Sequence, residues 1–205
     1  MERINIEALQ NVYDYPGYRQ LVDQLMQEGK TTGTNQEPWL VDYARLNIQR
    51  MSRWEKTWEP AEKIRLSMES IAEPMTWLTI TEGWCGDAAQ IVPIIDKLSK
   101  LNPHIEHKLV LRDENLELMD QFLTNGTRSI PKTMFIARDS GKVLGTWGPR
   151  PTSAAALVLE MKKNTNLVKE DLYNAIHGWY ARDKGVEISE QVVEAALKAS
   201  QWVKA

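Results

Sequence analysis

Apolar residues recur along this chain in two rhythms. Met75–Thr81 is an apolar and β-branched run that predicts a buried strand, and 105–112, with His107, Leu109 and Leu111 on one face, predicts a second. Between them 88–101 repeats apolar residues at helical spacing, with Pro93 inside the pattern as a kink. Strand, helix and strand in this order imply a right-handed crossover and parallel strands. Further on, 116–123 predicts a helix capped by Asp113-Glu114-Asn115 and closed by Asn125-Gly126. Lys132–Ala137 and 142–146 predict two short strands around the turn Asp139-Ser140-Gly141.

The flanks are helical. A stripe of Leu21, Val22, Leu25 and Met26 predicts a helix over 18–27, stopped by Gly29. A longer helix is expected from Asn35 as N-cap, with Pro38 in its first turn, to about 57. It should bury Trp39, Leu40, Tyr43, Leu46, Met51 and Trp54 and turn Arg45, Arg50, Arg53 and Lys56 to solvent. Pro60 opens another helix carrying Ile64, Leu66, Met68 and Ile71. After the break Gly148-Pro149-Arg150-Pro151, Thr152 or Ser153 caps a helix to about 163, and helices over 169–182 and 189–202 follow. The expected organisation is an N-terminal helical extension over 1–73, a core over 74–164 and a C-terminal helical extension over 165–205.

Composition narrows the function classes. With 205 residues and 42% hydrophobic content the chain can fill a core, and 25 Lys and Arg against 28 Asp and Glu give a formal charge of -3. No nucleic-acid or anionic-membrane partner is therefore expected. The opening Met1-Glu2-Arg3-Ile4-Asn5 is too polar for a secretory leader and no run nears the roughly 20 apolar residues of a spanning helix, so a cytoplasmic location is expected. His104 and His107 lack metal-site spacing and are expected to be solvated; no metal is expected.

The chain has one cysteine, Cys85, which excludes any intramolecular disulfide. It falls where the first strand meets the helix, in Thr81-Glu82-Gly83-Trp84-Cys85-Gly86-Asp87-Ala88. Unpaired N–H groups and the dipole at a helix start favour a thiolate, the form that attacks disulfides, while the Asp87 carboxylate opposes it.

A βαβ unit followed by a ββα unit, with Trp84-Cys85-Gly86 at the helix start, Ile130-Pro131 before the third strand and Gly148 before the last core helix, resembles the thioredoxin family. It looks most like a bacterial thioredoxin-like subgroup in which Cys-Gly-Asp replaces Cys-Gly-Pro. The resemblance implies the α/β thioredoxin fold, a four-stranded mixed sheet, over about 74–163. It also implies Cys85 as nucleophile, Pro131 as a cis-proline beside the substrate, and Trp84, Gly86, Asp87 and Ile130 as substrate-binding positions. Ala88 stands where thioredoxins carry the resolving cysteine, and Thr79 where they carry a buried aspartate. The expected function is therefore monothiol exchange with a protein disulfide or a low-molecular-weight thiol adduct. An external thiol resolves it, and a low-molecular-weight thiol is the co-substrate in place of any bound cofactor. Arg128 and Lys132 are the basic residues expected near the thiol, to tune it or hold a ligand carboxylate. The alternative is a redox-inactive adaptor that binds a client chain beside Pro131; peroxide reduction and a cluster shared between two subunits rank below it. Oligomeric state stays open.

Overall fold

The computed structural model describes residues 2–202; Met1 and residues 203–205, at the outer ends of the two expected extensions, lie outside the described residues. Strands β1 (Met75–Thr81), β2 (Ile105–Leu111), β3 (Lys132–Ala137) and β4 (Val143–Trp147) form one sheet in the order β2-β1-β3-β4. β1 and β2 pair in parallel, whereas β1 with β3 and β3 with β4 pair antiparallel. The crossover from β1 to β2 is α4 (Gly86–Ser99), α5 (Leu116–Gln121) follows β2, and α6 (Thr152–Met161) follows β4. This is the thioredoxin fold, extended by α1 (Tyr15–Gln27), α2 (Pro38–Thr57) and α3 (Glu62–Glu69) before the sheet and by α7 (Lys169–Asp183) and α8 (Val186–Gln201) after it.

Period-two alternation sorts the strand residues onto two apolar clusters. Trp77 and Phe135 face the cluster that α3, α7 and α8 complete, while Leu78, Ile80, Met134 and Ile136 face the one that includes α1. Trp77 and Phe135 are direct cross-strand partners whose rings meet edge to face, centroids 5.3 Å apart, a pair contributing about 0.5–1.5 kcal/mol beyond area burial. α2 packs along α4, and α8 lies against β4, α3 and α4.

Several local expectations change. Trp39, Leu46 and Leu66 are exposed, because α2 and α3 are covered on one side only, and an apolar stripe counted from sequence does not say how wide that cover is. Arg50 is in turn half-buried, its guanidinium 4.9 Å from the Tyr43 ring centre, while Arg53 stays exposed as expected, its guanidinium over the Trp54 ring. Glu37, not Asn35, is the N-cap of α2, with Asn35 Oδ1 accepting the Glu37 N–H at 3.0 Å. Asn115 is the N-cap of α5, but its side chain is diverted to the chain near the N-terminus, accepting from Gln10 N and donating to Gln10 O. His107 is buried rather than solvated, with Nε2 3.0 Å from Thr79 Oγ1 and Nδ1 3.6 Å from Asp96 Oδ1. It sits in the middle of β2, so its side chain points into the layer under the sheet where only polar neighbours make it tolerable.

Candidate functional site

Cys85 is the N-cap of α4. Its Sγ accepts the Ala88 N–H at 3.4 Å, and the thiol donates to the Ile130 carbonyl, also at 3.4 Å. The backbone leading to it is held from two sides. Asn47 of α2 donates to the Gly83 carbonyl at 3.0 Å, and the Gly83 N–H donates to Thr32 Oγ1 at 2.8 Å. Thr32 in turn donates to the carboxyl of Glu82, which also accepts the Asp113 N–H at 2.9 Å. Both the 31–36 loop and α2 thus fix the approach to the thiol.

The Ile130-Pro131 bond is cis and brings the Ile130 carbonyl to the thiol. Trp84 carries the Arg112 guanidinium 4.6 Å from its ring centre. Asp87, nine-tenths buried, accepts from the Tyr180 hydroxyl at 2.8 Å and pairs with Arg150 Nη2 at 2.5 Å. Burial first, then the Asp87 carboxylate, push the Cys85 thiol up to about 12; the Ala88 N–H and the Arg150 charge pull the other way and lose. The helix start therefore does not deliver a resting thiolate, because desolvation of a thiol at 8% exposure outweighs one N–H and the dipole.

The two basic residues predicted near the thiol separate. Arg128 lines the pocket over Cys85 but pairs at the surface with Asp120, at 2.6 Å. Lys132 is buried and donates to Thr124 Oγ1 at 3.2 Å, away from the pocket wall. The cation acting on the thiol is Arg150, supplied by the Gly148-Pro149-Arg150-Pro151 break, whose role no spacing in the sequence announces.

Over Cys85 lies a pocket of about 360 Å³. Trp39 and Tyr43 of α2 and Tyr173 and His177 of α7 form its outer wall, while Cys85, Gly86 and Ile130 form its floor. These outer residues escaped the sequence reading; a long helix ahead of the core and another behind it carried no signal that they meet over the cysteine. Thr79, where a buried acid was missing, hydrogen-bonds Thr133 at 2.9 Å, so that position is structurally satisfied without a base. Among the described residues no helix is long and apolar enough to cross a membrane, and no cluster of His, Cys, Asp and Glu is placed to hold a metal.

The sequence model of the family described as thioredoxin matches residues 33–165. No curated protein matches the chain. Two solved structures share its fold. One is a protein of unknown function from Pseudomonas aeruginosa, at 16% identity and TM-score 0.54, covering 93% of this chain and 99% of that one. The other is an HIV epitope scaffold, at 14% identity and TM-score 0.52, covering 87% of this chain and 96% of that one.

Proposed function

Because the chain belongs to the thioredoxin family, we propose that it exchanges disulfides through Cys85 alone, with an external thiol completing the cycle. The supporting observation is the placement of Cys85 Sγ on the floor of the pocket, beside the Ile130 carbonyl and at the start of α4. In the first step the Cys85 thiolate attacks one sulfur of a disulfide R–S–S–R′, forming Cys85–S–S–R and releasing R′S⁻, which takes up the proton Cys85 gave to solvent. An external thiolate R″S⁻ then attacks the R sulfur, forming R–S–S–R″ and returning the Cys85 thiolate. Ala88 has no sulfur with which to perform that second step.

A thiol pushed up to about 12 rests protonated at neutral pH. Its thiolate is scarce but intrinsically more nucleophilic than that of an acidic thiol, which offsets part of the loss. Turnover of a mixed disulfide with excess small thiol should be slow at neutral pH and should keep rising beyond the ~8.5 of a free cysteine. Cys85→Ser should abolish it and the trapped Cys85–S–S–R adduct seen by mass spectrometry. Equal turnover by wild type and Cys85→Ser would defeat the exchange reading.

The protonated thiol also favours a second reading, an adaptor that binds a client chain beside Pro131 without redox chemistry. In that case a peptide ligand binds wild type and Cys85→Ser alike, with no covalent adduct.

A further inference from the structure

Exchange by Cys85 leaves two pocket residues without a task, Tyr43 of α2 and His177 of α7. They are joined by a chain of hydrogen bonds whose direction can be assigned from groups that have only one role. Trp54 Nε1 can only donate, and it lies 2.6 Å from one oxygen of Gln90, which also receives Arg53 Nη2 at 3.1 Å. That atom is therefore the Gln90 carbonyl, and the other end of the amide is the NH₂. The NH₂ stands 3.0 Å from His177 Nδ1, so Nδ1 accepts. Burial, with Arg50 and Arg53 nearby, pushes His177 down to about 4, so the ring is neutral at physiological pH and its one proton is on Nε2. Nε2 then donates to Tyr43 Oη at 2.6 Å. The Arg50 guanidinium lies over the Tyr43 ring, 4.9 Å from its centre.

The hydroxyl hydrogen of Tyr43 is consequently left over, and no acceptor among the described residues takes it. Its surroundings are the pocket. Tyr43 Oη lies so close to Gly86 that a methyl group there would collide with it, and Tyr43, Gly86 and Cys85 line the same pocket. A second orphan donor sits in its wall, since Arg150 Nε is buried with no hydrogen-bond partner among the described residues. Three guanidinium groups, Arg112, Arg128 and Arg150, line the pocket; Asp87 in the wall pairs with Arg150, while Asp113 and Asp120, which pair with Arg112 and Arg128, stand outside the lining. The wall thus offers unspent donors beside two cations whose carboxylate partners lie outside it, in a chain whose formal charge is -3.

We propose that this pocket binds a small organic anion, a carboxylate-bearing thiol or its mixed disulfide, and that Tyr43 donates its hydroxyl proton to the carboxylate. The sulfur part of that assignment rests on the exchange reading; the carboxylate part rests on the donor geometry alone. The volume, about 360 Å³, suits a small molecule and not a folded client. His177 is a positioning residue, holding Tyr43 in the donor role.

The test uses two aromatic disulfides, the anionic dithiobis-nitrobenzoate and the neutral dithiodipyridine, titrated by calorimetry into full-length Cys85→Ser, where no covalent capture occurs. The anionic probe should bind at least ~10-fold more tightly than the neutral one, and adding Tyr43→Phe should cost the anionic probe roughly 10-fold while leaving the neutral one unchanged. Equal binding of the two probes overturns the proposal, and that comparison stands without the Tyr43 variant. A Tyr43→Phe protein with an unchanged unfolding midpoint that weakens both probes equally, or neither, overturns the role of the hydroxyl. Separately, wild type should release the chromophoric thiol from dithiobis-nitrobenzoate; absence of release with intact anion binding removes the exchange reading and leaves the anion site.

Discussion

At the scale of single residues, burial decides more than sequence neighbours do. Glu82 is fully buried three residues before Cys85 and holds the 31–36 loop through Thr32. Burial raises its carboxyl from 4.5 to about 7, although the Thr32 hydroxyl and the Asp113 N–H favour the charged form. Between those two values the folded chain keeps a proton that the unfolded chain has released. Stability therefore falls as pH rises from 4.5 to about 7 on account of this group. A shift of this size corresponds to at most ~3 kcal/mol. Urea midpoints for wild type and Glu82→Gln should converge or cross as pH rises through that window, the variant gaining on wild type by up to ~3 kcal/mol; a gap that does not change with pH would show that Glu82 is already ionised when folded. Cys85 obeys the same logic with a thiol. The dipole and capping arguments that apply to any helix start are correct in sign, yet here they are smaller than desolvation.

At the scale of elements, the site exists where loop and helix ends meet. β1 delivers Cys85, the turn before β3 delivers the Ile130 carbonyl, and the segment between β4 and α6 delivers Arg150 to Asp87. The last two touch through backbone, at Gly148. This glycine has φ of 111° and packs so tightly on the Pro131 carbonyl that a side chain has no room. Gly148→Ala must shift a backbone oxygen and hold an L-residue in a left-handed conformation. It should cost about 2 kcal/mol or more in urea denaturation, with the loss of Arg150 from Asp87 as its local consequence. An alanine variant as stable as wild type would mean the two segments adjust independently. Gly86 presents the opposite case, because what it leaves room for is the flexible ring of Tyr43 and not backbone.

For the whole molecule, α7 and α8, which follow the matched segment, complete the core. Ile176, Tyr180, Ile188, Val192 and Val193 are buried in the same apolar cluster as Trp77 and Phe135. At about 1.5–3 kcal/mol for each fully buried side chain, their removal approaches or exceeds the ~5–15 kcal/mol that holds a typical domain together. A chain ending at Thr165, the end of the family match, should show no cooperative urea transition and no fixed near-ultraviolet signal, where the full chain shows both. A truncated chain that unfolds cooperatively at a similar midpoint would make α7 and α8 an appendage. α7 also lines the pocket, bringing Tyr173 and His177 around Cys85.

Much of this was legible from residue order. The strands Met75–Thr81 and Lys132–Ala137 have the bounds that their apolar runs predict, because a buried strand needs only a local run of suitable side chains ended by turn residues. The lone Cys85, Ala88 three residues later and Ile130-Pro131 likewise bounded the chemistry without coordinates: a sulfur that is absent from the sequence is absent from every fold of it. What only the tertiary structure decided is the state of that sulfur and the shape around it. The charge on Cys85 depends on burial by α2 and α7 and on an Asp87 carboxylate tied to Arg150 and Tyr180, 63 and 93 residues away in sequence. Desolvation and long-range ion pairing act through space, and neither leaves a periodic trace along the chain.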